Sequence, residues 1–186
     1  MTTFCNVLEA GKTSTREALV IFDSLEPINA DFMLGAWRGG GFPTDHPMDG
    51  VLETFHWYGK RFDGPEDVHP LVFSTPAGRK KNINPVLVMP GLNLLGFLPF
   101  LNTPLGGRVF QGLLPLFATR RSRARLRLTE YRGKSSASMI YDNLPINDVF
   151  RKVDDNTVLG VMDFKGMTQP FFFILRREEA AGGSDD

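Results

Sequence analysis

Five arginines crowd one short stretch of this chain: Arg120, Arg121, Arg123, Arg125 and Arg127. Guanidinium groups grip phosphates, so the stretch could face RNA, or one fork could hold a carboxylate through two charge-assisted hydrogen bonds. Alternation with Ala124, Leu126 and Leu128 offers a third outcome, the solvated face of a half-buried strand. Net charge argues against nucleic acid as a partner, because 21 Lys+Arg balance 21 Asp+Glu and no aromatic RNA-binding motif accompanies the arginines. The histidines His46, His56 and His69 all lie in the first half of the chain. Glu53 and His56 have the i, i+3 spacing of half a carboxylate-bridged metal site, but the second half is missing, so no metal is assigned. Gly11-Lys12-Thr13 ends like a phosphate-binding loop, yet Asn6 stands where its first glycine belongs. No G-x-S-x-G nucleophile elbow occurs. An enzyme would have to gather Asp163, Glu53, His56 and Tyr141 without a recognised spacing, so the chain is read as a non-enzyme with no catalytic residue and no cofactor.

The elements that would position these groups are mostly strands. At 186 residues the chain can bury one good core, and residues 1–186 are read as a single domain. Ser14-Thr15-Arg16-Glu17 has capping-box spacing, and Ala18, Ile21, Phe22 and Leu25 follow at helical intervals, which predicts a helix over 14–26. The first strands are expected within 31–76, with Asp49-Gly50 as a turn before a strand from Val51 to Phe62, another strand at Pro70–Thr75, and a basic turn at Arg79-Lys80-Lys81. Residues 121–177 read as an antiparallel meander, with a hairpin at Tyr131-Arg132-Gly133-Lys134, one helical turn at Pro145–Phe150 and a second hairpin at Asp154-Asp155-Asn156. Between the two halves, 85–118 is rich in Leu and Phe and broken by Pro and Gly. Its prolines exclude a regular transmembrane helix, which leaves a partly helical insertion as lid, interface or extra core. The tail 178–186 is expected to be disordered. Cys5 is the one cysteine, which excludes an internal disulfide framework, and Met1 to Asn6 lacks the basic and apolar regions of a secretory signal; both fit a cytoplasmic location.

Gly35-Ala36-Trp37, introduced by Phe32-Met33-Leu34 and followed by Arg38-Gly39-Gly40-Gly41, places a large ring beside residues that let the backbone bend or approach a neighbour closely. This G-x-W segment resembles the calycin signature of lipocalins and their relatives, in which an arginine of the last strand packs across the tryptophan. Here Arg176, or its neighbour Arg177, ends the run Phe171-Phe172-Phe173-Ile174-Leu175 and is placed in that role. More specifically, Leu34 to Gly39 is similar to the GXWXG family, and Tyr141 to Arg151 to the C-terminal domain of unknown function found with it. The resemblance implies a calycin-like barrel that binds fatty acid or another lipid; with the elements read above, the expected fold is mainly β, an antiparallel calycin-like β-barrel with an N-terminal helix and a partly helical apolar insertion. Gly35 to Thr44 is also similar to the first segment of nitrobindins, haem-binding barrels, although no histidine follows His69 to ligate iron.

The expected function is sequestration of a long-chain fatty acid or similar hydrophobic ligand in the barrel. Strand alternation nominates Phe55, Trp57, Met139, Tyr141, Val161 and Phe173 as lining residues, and Arg125, Arg127, Tyr131 and Tyr141 as groups to meet a carboxylate. Transient membrane contact and a homodimer stay open as roles for the apolar insertion. A haem carrier and an enzyme acting on a hydrophobic small molecule are the alternatives.

Overall fold

A computed structural model describes residues 3–75, 77–88 and 103–178. The strands are β1 Glu26–Pro27, β2 Gly35–Gly41, β3 Trp57–Gly64, β4 Asp67–Ser74, β5 Lys80–Asn82, β6 Ala124–Tyr131, β7 Lys134–Tyr141, β8 Ile146–Asp154, β9 Thr157–Phe164 and β10 Phe171–Arg177. All of their pairings are antiparallel. They form one sheet of ten strands that runs β8-β7-β6-β4-β3-β2-β10-β9 and returns to β8. With β1 hung on β8 and β5 on β4, eight strands close the ring. Closure removes the free edges that an open sheet would expose to other chains. The thinnest seam is β4–β6, with Val68↔Ala124 as its single register pair, where Ser122 accepts from the Val68 amide at 3.1 Å.

Helices α1 Phe4–Ala10, α2 Thr15–Ser24, α3 Val51–Thr54 and α4 Pro104–Phe117 accompany the ring. The Ser14 hydroxyl and the Glu17 carboxylate cap α2 reciprocally, as the sequence spacing predicts. α1 begins with the same device, built from Thr3 and Asn6, in a segment where the sequence pattern predicts no helix. Both helices pack outside the ring: Phe4, Val7, Ala18, Ile21 and Phe22 meet Val149, Leu159, Val161, Phe172 and Ile174. Strands β8 to β10 are therefore covered on both faces. Lys134 Nζ on β7 ties down the end of α2 by donating to the carbonyls of Asp23 and Leu25 at 2.7 and 3.0 Å.

Several local expectations are corrected. Val51 to Phe62 is not one strand: Val51–Thr54 is helical, and β3 starts at Trp57 after His56, whose φ of 60° turns the chain. Pro145–Phe150 is not a helical turn, because Ile146 already pairs with Phe164 in β8. Arg79-Lys80-Lys81 is mostly strand, with Ser74↔Lys80 and Phe73↔Lys81 extending β4 outward into β5. Glu178, expected in a disordered tail, is held: its carboxylate accepts from the Tyr58 hydroxyl at 2.8 Å and pairs with Lys80. Residues 179–186 of that tail and 89–102 of the apolar insertion lie outside the described residues. The rest of the insertion covers one barrel end, where Phe110 of α4 stacks on Phe55 at 4.6 Å and Gln111 donates to the Phe55 carbonyl. Among the described residues no helix is long and apolar enough to cross a membrane.

Candidate functional site

The opposite end of the ring is closed by Trp37. Its ring is fully buried and its Nε1 donates to the Met33 carbonyl at 2.7 Å. Arg177 lies over this ring at 4.3 Å and donates to the carbonyls of Leu34 and Phe32 at 3.0 and 2.7 Å. The arginine assigned across the tryptophan as Arg176 is thus its neighbour Arg177, because Arg176 is exposed opposite Arg38. Gly35, at φ 110°, opens β2 with a conformation that side chains disfavour. Gly39 serves packing instead, since a Cβ there would overlap the Trp57 ring. Gly160 similarly makes room for Phe173, so two glycines on the strands that flank β10 seat two aromatic rings inside the barrel.

Between the Trp37 floor and the α3–α4 cover, the interior holds one ion pair among the described residues. Lys60 Nζ lies 2.8 Å from Asp148 Oδ2, with the side chains 4% and 1% exposed. The same ammonium donates to the Pro70 carbonyl at 3.2 Å and sits 4.9 Å from the Phe173 ring, 5.5 Å from Trp57 and 5.9 Å from Tyr141. Such rings attract a cation through their negative faces. Burial pushes the Asp148 carboxyl above the ordinary carboxylate range, against the opposing pull of Lys60. Burial first, and then the Asp148 charge, raises the Tyr141 phenol well above its ordinary value. Two buried polar atoms of this cluster, Asp148 Oδ1 and Trp57 Nε1, have no hydrogen-bond partner among the described residues. Native interiors rarely leave such atoms unmet.

Register irregularities put Lys60 indoors. Trp57↔Phe73 is followed by Gly59↔Val72, so β3 carries one extra residue there; Arg61↔His69 then restores the count at Pro70 on β4. Trp57 and Phe62 therefore share the inner face despite their odd spacing, and Lys60 joins them. Asp148 needs no such device, because it alternates between inward Ile146 and Phe150.

Of the nominated lining residues, Trp57, Met139, Tyr141 and Phe173 belong to the interior core. Phe55 joins the same buried cluster, but off the strands, stacked beneath Phe110 of the cover. Val161 points the other way, into the layer under α1 and α2, because β9 is buried on both faces and its alternation has no polar side. Tyr131 also lies outside the ring, its ring 6.1 Å from Phe22. Arg125 and Arg127 do not reach the interior: Ala124 and Leu126 take the inward parity, Arg125 is exposed, and Arg127 pairs with exposed Glu66. The polar cluster considered for an enzyme is not assembled either, since Asp163, Glu53 and His56 are not buried with Tyr141. Strand alternation alone does not point to Lys60, whereas Asp148 stands at the inward parity of Ile146 and Phe150.

No histidine faces the ion pair. His46 Nδ1 accepts from the Met48 amide at 3.0 Å while Nε2 meets the Gln169 carbonyl at 3.2 Å, which engages both ring nitrogens of a neutral imidazole. His69 lies on the outer face with Nε2 3.6 Å from Asp63 and 3.5 Å from Asp67. These three side chains have the spread of a metal site, but Arg61 Nε already donates to Asp63 at 2.8 Å and neutralises it.

Residues 20–78 match the family model described as GXWXG protein, and residues 122–177 match a domain of unknown function, DUF4334. Neither description names an activity. The crystal structure of a protein from Thermomonospora curvata is similar at 32% identity and a TM-score of 0.68, over 94% of this chain and 95% of that one. No curated protein matches the chain.

Proposed function

Since the chain belongs to the family of GXWXG proteins that carry a C-terminal DUF4334 domain, we propose that it is a calycin-like barrel which binds a hydrophobic small molecule inside the ring. The observation that carries this reading is the interior itself: a closed ring with an aromatic and aliphatic inner wall, interrupted by an ion pair with unmet polar atoms beside it. A small barrel can hold one such ligand above a packed floor. Trp37 with Arg177 supplies the floor, and α3 with α4 supplies the cover. An acyl or isoprenoid body suits the wall, because each methylene moved out of water is worth roughly 0.8 kcal/mol. The ion pair gives that body a direction, with its polar end at Lys60 and Asp148.

Native mass spectrometry of protein taken directly from cells, followed by titration of the delipidated protein with long-chain compounds, tests the reading. A stoichiometric adduct of one acyl-chain compound per chain is expected. A protein that takes up none of them would overturn it.

A further inference from the structure

We propose that the interior selects an uncharged head group that both donates and accepts a hydrogen bond, a hydroxyl above all, and rejects a carboxylate. This inference rests on the barrel-carrier reading and specifies its ligand. Lys60 and Asp148 already cancel each other's charge inside the ring at 2.8 Å. A fatty carboxylate would add a second anion to a neutral, desolvated site, and a lone buried charge is far costlier than a buried dipole. The arginines that could have matched such an anion lie on the outer surface of β6.

The buried atoms without a partner among the described residues define the head group further. Asp148 Oδ1 can only accept from a ligand while ionised, and Trp57 Nε1 can only donate to one. Both side chains are more than nine-tenths buried and surround the same Lys60 ammonium. A hydroxyl carries both functions these atoms call for, a proton for Asp148 Oδ1 and a lone pair for Trp57 Nε1. An aldehyde or ester accepts only, and leaves Asp148 Oδ1 unmet. A hydrocarbon satisfies neither.

Delipidated protein is titrated with hexadecanol, hexadecanal, palmitate and hexadecane, and bound ligand is counted by native mass spectrometry and by competition against a fluorescent acyl probe. Hexadecanol is expected to bind roughly tenfold or more tighter than palmitate, with hexadecanal between hexadecanol and hexadecane, as one charge-assisted hydrogen bond implies. Palmitate binding as tightly as hexadecanol overturns this inference and leaves the carrier reading standing. Binding of no member overturns both. Trp57→Phe keeps a ring over Gly39 and removes the Nε1 donor. Hexadecanol affinity should then fall several-fold more than hexadecane affinity, and an equal change in the two overturns the assignment of Trp57. Asp148→Asn, where it folds, leaves Lys60 as a net positive charge and should turn the preference toward palmitate.

Discussion

Two buried cations mark two different uses of the interior of this molecule. Lys60 stands inside the ring beside a carboxylate, and Arg151 stands outside it, 1% exposed, under α2. Each rests on a phenylalanine ring, Phe173 at 4.9 Å for Lys60 and Phe22 at 5.0 Å for Arg151. Their partners differ. Arg151 Nη2 donates to the carbonyls of Tyr131 and Lys134, at 3.0 and 3.2 Å, while its Nε and Nη1 have no partner among the described residues. Burial draws its pKa below the ordinary arginine value, with Asp23 opposing. The two carbonyls flank the β6–β7 turn, whose Arg132 grips Asp23 of α2 through two bonds of 2.7 Å. Arg151 thus fastens the turn that fastens the helix, whereas Lys60 balances a charge that faces the interior of the barrel.

Breaking the Lys60–Asp148 pair should have the largest effect. Asp148→Leu strands an ammonium among three rings, and chemical denaturation should show a loss of about 3–5 kcal/mol. The double substitution Lys60→Met with Asp148→Leu should recover most of that stability. A double variant no more stable than Asp148→Leu would mean that packing, and not charge, dominates the site. Gly39→Ala comes next: the new methyl overlaps the Trp57 ring, and a loss of about 1–3 kcal/mol in thermal unfolding is expected from overpacking. Arg151→Met keeps a long apolar stem over Phe22 and leaves two carbonyls without their donor, for about 1–2 kcal/mol. If it cost as much as Asp148→Leu, the contrast between the two cations would fail.

The smallest effect concerns pH. Burial lowers the pKa of both His46 and His69, with Arg61 adding to the effect at His69. The unfolded chain therefore takes up protons first as pH falls through about 6.5, so stability should decline from there until the folded imidazoles also titrate. His46→Gln with His69→Gln should flatten that slope in denaturant melts, and an unchanged slope would assign it to other groups.

Much of the fold can be read directly from residue pattern. The hairpins at Arg132-Gly133 and Asp155-Asn156, the α2 capping box and the Gly35–Trp37 segment each rest on local backbone chemistry that neighbouring residues decide among themselves. The site is less legible. Arg125 and Arg127 stand out because their charge is dense in sequence, yet their parity with inward Ala124 and Leu126 already consigns them to the outside. Lys60 looks like a surface residue because strict alternation from Trp57 puts position 60 outside. One signal is present: Trp57 and Phe62 are both large and apolar at opposite parity, which requires an extra residue between them, and Gly59 can supply it. Asp148 carries a plainer signal, as a carboxylate at the inward parity of Ile146 and Phe150.

By itself, then, the sequence determined the hairpins at Arg132-Gly133 and Asp155-Asn156, the α2 cap and the Gly35–Trp37 segment, because alternation, glycine and cap chemistry act over a few residues. Only the tertiary structure decided what the ring encloses. Closure brings β3 and β8, far apart along the chain, to within hydrogen-bond distance across the interior, and a register shift turns Lys60 inward to meet Asp148. Neither event leaves a mark in local pattern that names its partner, since each depends on where the opposite wall stands. For the same reason Val161 faces α1 and α2 rather than the interior: β9 is buried on both faces, and only the packing of the helices separates inside from outside.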